Sequence, residues 1–263
     1  MIRVGIGGWS YAPWRGVFYP EDLPHAQELA YASRHVTAIE INSTFYRTQS
    51  RESFARWRET APDRFVFCVK AHRAAVSGRA LAEAGEKVAH FLESGVAALA
   101  DALGPILWQL PPHKRFDADE IGAFLRLLPK KKDGRRLRHA LEARHESFLD
   151  EKFVALLRDE NVACVFVDGE GHPAIADATA DFVYARLRRM RETCATGYAG
   201  KALDLWAERA RAWERGDTPD LPLLAAPAEQ RQRERDVFVF MIDGAKQRAP
   251  AAAMALMKRL ARP

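Results

Sequence analysis

The chain has 263 residues, 48% of them hydrophobic and 29% charged, with 40 Lys and Arg against 35 Asp and Glu. These are proportions of a soluble globular protein that can bury a substantial core, as one large barrel or two smaller domains. They exclude a low-complexity chain, and the net charge of +5 favours anionic partners weakly without requiring one. No apolar run approaches the roughly 18 residues that a membrane helix needs. The start, MIRVGIGGW, enters a strand pattern directly and lacks the regions of a signal peptide. Cys68, Cys164 and Cys194 are odd in number and far apart, which predicts reduced thiols, a cytoplasmic location and no thiolate metal site.

In chain order, Met1 to Gly8 is a short apolar strand running into glycines. The Pro- and aromatic-rich stretch YAPWRGVFYPEDLP follows as a structured loop, and His25 to Arg34 has helical spacing. Ala38 to Asn42 alternates, with Ile39 and Ile41 on one side and Ala38, Glu40 and Asn42 on the other. That period of two marks a second strand, which carries a carboxylate and an amide on one face. Ser50 to Thr60 is helical, and Phe65 to Lys70 is a third strand ending in a lysine.

Leu81 to Leu103 is mostly helical, broken near Gly95, and Pro105 to Leu110 is the fourth strand. Asp117 to Leu128 is an amphipathic helix. His139 to Arg144 is the fifth strand, with Ala140, Glu142 and Arg144 sharing a face. A helix over Asp150 to Asp159 leads to the sixth strand, Ala163 to Asp168, and Asp181 to Leu187 is the seventh. A helix over Lys201 to Arg215, an eighth strand over Asp236 to Asp243 and a closing helix over Ala251 to Leu260 complete the pattern.

Eight strands mostly separated by helices predict a single-domain α/β fold, a (β/α)8 TIM barrel, whose usual length is about 250 residues. The connection between strands six and seven, about 12 residues, is short for a crossover helix, so that helix is expected to be irregular or missing. No linker-like break near the middle supports two domains, and no half-barrel repeat stands out.

Nearly every strand ends in a polar residue: Glu40 and Asn42, Lys70, Gln109, Glu142 and Arg144, Asp168, Arg186, Asp243. In such barrels the carboxyl ends of the strands build the active site. The same residues would also suit a purely structural mesh of ion pairs, and both readings stand at this point. Lys70 fits a Schiff-base amine or a cationic anchor. Glu40 and Glu142 face one another across the mouth and could divide acid and base roles if their surroundings separate their pKa values.

His72, His113, His145 and His172 follow successive strands, yet no metal-binding spacing is present. Gly5, Gly7 and Gly8 lack the following helix of a dinucleotide fingerprint. The basic run Lys130 to Arg138 reads as a solvated connector on the opposite face. Arg186, Arg188, Arg189 and Arg191 should rim the mouth, beside Gly244 and the start of the closing helix, a common place for phosphate. Trp9, Tyr11, Trp14, Phe18, Phe45 and Tyr46 gather in the first two loops at that end, where they could stack a ligand or pack as core.

The motifs GIGGWSYAPWRGVFYP, AIEINSTFYR, ILWQLPP, LEARHESF and ATADFVYARLR together resemble the YecE-like family catalogued as domain of unknown function 72. The resemblance implies a TIM barrel and no assigned reaction. Its motif residues here are Trp9, Ser10, Tyr11, Glu40, Asn42, Ser43, Phe45, Tyr46, Lys70, Gln109, Pro111, Glu142, Arg144, His145 and Arg186. Two departures stand out. The family pattern has His-Gly where this chain has Arg188 and Arg189, and a Phe-Asn-Asn-like stretch where it has Met241, Ile242 and Asp243.

The combined expectation is an enzyme using acid/base chemistry on a small polar, anionic or phosphorylated molecule. Glu40, Lys70 and Glu142 are the catalytic candidates. Trp9, Tyr11, Asn42, Tyr46, Gln109, Arg144, His145, Arg186 and Arg188 are the substrate-binding candidates. No metal or cofactor is required by the sequence, and no membrane partner is expected. The alternative is a nucleic-acid-binding protein or metal-dependent phosphodiesterase using the same face. A non-catalytic interaction protein comes third.

Overall fold

The computed structural model describes residues 1–225 and 234–262. Eight parallel strands close into a barrel: β1 (Ile2–Gly7), β2 (Ala38–Ile41), β3 (Val66–Lys70), β4 (Leu103–Gln109), β5 (His139–Glu142), β6 (Ala163–Asp168), β7 (Phe182–Leu187) and β8 (Asp236–Met241). The barrel shuts where β1 pairs with β8, Ile2 opposite Val237 through Ile6 opposite Met241.

Among the described residues the strands alternate with α1 (Glu28–His35), α2 (Arg51–Thr60), α3 (Gly85–Glu93), α4 (Ala118–Arg126), α5 (Glu151–Asp159), α6 (Gly200–Arg215) and α7 (Ala249–Leu260). Residues 169–181, between β6 and β7, contain no helix, as the short connection leads one to expect. The single TIM barrel is therefore the fold. No helix among the described residues is long and apolar enough to cross a membrane.

Strand parity sorts the side chains into two layers. Ile39 and Ile41 point outward into the shell between barrel and helices, with Phe67, Val69, Trp108 and Leu141. Ala38, Val66, Cys68, Leu107, Ala140, Tyr184 and Phe240 point inward and fill the barrel. At Gly5 only a glycine fits this interior, because a Cβ would lie 2.3 Å from the Ala38 carbonyl oxygen and 2.7 Å from the Phe240 ring.

Local chemistry sets the helix starts. The hydroxyl of Ser50 accepts from Ser53 N–H, and Asp117 and Asp150 accept from Glu120 and Lys152 N–H, capping α2, α4 and α5. Gly95, at φ +118°, makes the break between α3 and the next helical turn.

Several details differ from the sequence reading, among them the end of the eighth strand, at Met241 rather than Asp243. β4 begins at Leu103, which pairs with Phe67, and the register shifts before Val69 meets Ile106. Pro105 has no N–H to give the ladder, so the irregularity falls there. β5 stops at Glu142, leaving Arg144 in the following loop. The run Lys130 to Arg138 is the largely exposed connector expected, and it contains an antiparallel hairpin, Lys131–Lys132 against Arg135–Arg136. Asp133 and Gly134 take positive φ, 49° and 75°, as a tight hairpin turn requires.

Candidate functional site

Because the inward positions of each strand repeat every second residue, the last inward residues of five strands meet in one layer at the barrel's carboxyl end. They are Glu40, Lys70, Gln109, Glu142 and Arg186, all buried. Arg186 is the hub. Its Nε donates to Glu40 Oε2 at 3.1 Å and its Nη2 to Glu40 Oε1 at 2.9 Å. Its Nη1 donates to Gln109 Oε1 at 3.1 Å and to Glu142 Oε2. Four of the five guanidinium N–H donors are thus engaged, leaving one. Tyr184 donates its hydroxyl to Glu40 Oε2 at 2.7 Å.

Electrostatics follow from this geometry. Burial works against the Arg186 charge, but Glu142 and Glu40 outweigh it, so the guanidinium is held protonated more firmly than usual. Burial, then the neighbouring Glu40 carboxylate, push the Tyr184 phenol well up. Glu40 and Glu142 have no exposed surface and do not line the cleft above them; Arg186 does.

That cleft, of about 560 Å3, is lined by Arg186, Lys70, Gln109, Asn42, Phe45 and Tyr46 on the strand 2 to 7 side. Arg144, Asp243 and Lys246 line it from the loops. Lys70 is only 7% exposed, and its ammonium sits 3.9 Å from the centre of the Phe45 ring, a cation–π contact. Burial, followed by the nearby Arg186 charge, lowers its pKa to about 8. Arg144 Nε lies 3.3 Å from Glu142 Oε1 as a charge contact without a hydrogen bond. Arg144 Nη2 meets His172 Nε2 at 3.0 Å. His172 also contacts Arg188, whose Nη2 is 2.7 Å from Asp243. Burial pushes the His172 pKa down, and the two arginines act in the same direction.

The structure therefore brings together Lys70, Asn42, Tyr46, Gln109, Arg144 and Arg186 around one cleft, with Glu40 and Glu142 beneath it. It places four sequence candidates outside the cleft wall. Trp9 packs edge-on against Trp57, ring centres 5.0 Å apart. Tyr11 packs edge-on against Trp14. His145 caps a short helical turn, its Nδ1 accepting from Ser147 N–H at 3.0 Å. Arg188 lies behind Asp243. Asp168 pairs with Arg189 at 3.2 Å, away from this cleft.

Two polar lining residues escaped the sequence reading: Ser77, in the loop after β3, and Lys246, three residues past Asp243. Lys246 Nζ sits 4.6 Å from the Tyr11 ring centre, and its carbonyl accepts from Trp14 Nε1 at 3.0 Å. Its place beside the closing helix was the available signal. The loop histidines do not converge, and no group of three or more His, Cys, Asp or Glu side chains among the described residues is placed to hold a metal ion.

A closed parallel barrel of this kind is a TIM-barrel protein, and its layer of charged inward residues lies at the end of the barrel where sites of this fold are usually built. The family model described as "Protein of unknown function DUF72" matches residues 3–263, and the chain belongs to that family. It is 30% identical to the UPF0759 protein YecE of Escherichia coli (strain K12) over 151 residues, 56% of this chain and 50% of YecE. It is 29% identical to the UPF0759 protein YunF of Bacillus subtilis (strain 168) over 73 residues, 28% of this chain and 25% of YunF. The chain spans about half the length of YecE and less of YunF. The solved DUF72 protein of Thermotoga maritima superposes with a TM-score of 0.75 at 23% identity, covering 99% of both chains. That of Enterococcus faecalis gives 0.74 at 17% identity, covering 99% and 95%. These likenesses bear on the fold.

Proposed function

We propose that the chain is an enzyme that moves a proton on a small polar substrate carrying an anionic group, bound in the mouth cleft. The observation behind this reading is Lys70, a buried amine whose pKa is lowered to about 8 and which opens onto the cleft. At pH 7 roughly a tenth of such an amine is unprotonated, so the group can both accept and return a proton near neutrality. Tuned pKa values of this kind collect in active sites.

The anion preference follows from charge. Four cations, Lys70, Arg144, Arg186 and Lys246, line the cleft. Two buried carboxylates offset them, while Asp243 is matched by Arg188. The excess suits a phosphate or carboxylate, met by Arg144 and by the one free N–H of Arg186. In this reading Glu40 and Glu142 are positioning residues: they fix the guanidinium and leave the proton transfer to Lys70. The cleft volume is that of a small-molecule site, which supports a small ligand over a nucleic-acid strand.

Incubating the protein with a metabolite extract and following it by mass spectrometry tests the proposal. One small anionic compound should be consumed or converted by wild type and left intact by Lys70→Met. Extracts unchanged by wild type, or equal conversion by both proteins, would overturn it.

A further inference from the structure

A second cleft, of about 620 Å3, opens where the loop after β7 meets the start of α6. It shares no lining residue with the mouth cleft. Arg188 stands in the wall between them, lining the second cleft while its partner Asp243 lines the first.

The second cleft has two unlike sides. One is apolar, made by Met190, Ala202, Leu205 and Trp206. Leu205 is 42% exposed, one of few large apolar side chains left open to water. The other side carries Arg189, Arg191 and Arg209. Arg189 is matched by Asp168, and Glu170 sits exposed at the rim. Neither Arg191 nor Arg209 forms an ion pair among the described residues, although Arg209 also lies near enough to Asp168 to act on its charge.

Arg209 lies 4.7 Å above the Trp206 ring, and its Nη2 donates to the Asp220 carbonyl at 3.1 Å. Its Nε is sealed from solvent with no acceptor, so a ligand in the cleft would have to meet the outer Nη nitrogens. The first turn of α6 adds to the field. Ala199 caps it without a side-chain hydrogen bond, no acidic residue occupies the turn, and Ala199 lines the cleft. The positive end of that helix dipole is unscreened there.

We propose that this second cleft binds an aromatic phosphomonoester, its ring against Leu205 and Trp206 and its phosphate between Arg191 and Arg209. An apolar wall beside guanidinium groups that outnumber the carboxylates of the cleft suits a ligand with an apolar body and a compact anion. A free inorganic anion would leave Leu205 in water, and an uncharged aromatic would leave the arginines unmatched.

Phenyl phosphate is the probe, titrated into the intact chain by calorimetry, with inorganic phosphate and benzyl alcohol as controls. It should bind about tenfold more tightly than either control. Arg191→Gln with Arg209→Gln should weaken it about tenfold or more. Lys70→Met and Arg144→Gln, at residues that line the mouth cleft and not this one, should leave it unchanged. Leu205→Asp, at an exposed position, gives an independent variant that places a like charge against the phosphate and should also abolish binding. No binding at about 10 mM, equal affinity for inorganic phosphate, or a loss caused by Arg144→Gln and not by the arginine pair, would overturn the proposal. The outcome is independent of whether the mouth cleft is catalytic.

Discussion

Arg186 on β7 and Glu40 on β2 meet side-on through the interior of the barrel, Nε to Oε2 at 3.1 Å and Nη2 to Oε1 at 2.9 Å. The two strands are not neighbours in the sheet, so the contact ties opposite arcs of the barrel together. With Glu142 on the other nitrogen, one cation is clamped between two carboxylates where little water reaches.

The first prediction follows from that clamp. Glu40→Gln and Glu142→Gln each keep the side-chain volume, so no large cavity confuses the comparison. Each leaves Arg186 with one charge partner in a dry site, and breaking a buried pair this way costs about 3–5 kcal/mol. Denaturant melts against wild type measure the loss. Changes below about 1 kcal/mol would mean that water reaches the carboxylates and that the pair is an open, ligand-ready site.

Much of this arrangement was legible in the sequence. Ala38, Glu40 and the two isoleucines between and after them alternate, and the structure puts the first pair inside and the isoleucines outside. The same parity in Phe182, Tyr184 and Arg186 places that arginine inward. What could not be read is where side chains past the strand ends turn. His145 and Arg144 are adjacent in a motif, yet one caps a helical turn and the other lines the cleft. Trp9 and Tyr11 look alike as ligand-stacking or packing aromatics, and only their neighbours Trp57 and Trp14 decide it. Lys246 reaches the cleft through a contact between loops more than 200 residues apart in sequence, which its place beside the closing helix only hints at.

A second prediction concerns acid. Trp108 can only donate, so its Nε1–H to His139 Nδ1, 3.0 Å, fixes the neutral tautomer with Nε2–H donating to the Pro129 carbonyl at 2.9 Å. Burial lowers the pKa of this histidine to about 4, against the smaller upward pull of that carbonyl. The depressed value means its stabilising contribution is complete above about pH 6.5 and is lost as pH falls toward 4, up to about 3 kcal/mol. His139→Gln can keep both hydrogen bonds and does not titrate. The stability difference between pH 7.5 and 4.5 should therefore shrink in the variant, and an unchanged difference would rule the mechanism out.

The third prediction is that the mouth cleft takes an anion. Phosphate should raise the melting temperature more than chloride at matched ionic strength. Sulfate and phosphate also strengthen burial generally, so the variants carry the test. Arg144→Gln with Lys246→Gln should remove the difference, while Arg209→Gln, outside this cleft, should retain it. Loss of the difference in the Arg209 variant alone would move the anion to the second cleft.

The last prediction isolates Lys70. Its ammonium has traded water for the Phe45 ring and the neighbourhood of Arg186, and burial is the larger cause of its lowered pKa, about 8. An unfolded lysine titrates near 10.4. Between those values the folded amine is neutral while the unfolded one still holds its proton. The contribution of Lys70 to stability is therefore complete above about pH 10.4 and is lost as pH falls toward 8, a change of up to about 3 kcal/mol. Lys70→Met fits the same space without a proton to exchange, and it also relieves repulsion with Arg186. Relative to wild type, the methionine variant should be more stable at pH 7 and should lose that advantage by pH 10. Reductive 13C-methylation of the lysines, followed by NMR titration, should show one resonance with a midpoint near pH 8 that is absent from Lys70→Met. A midpoint near 10 would mean the amine is hydrated, and the proton-transfer role proposed for it would fail with that result.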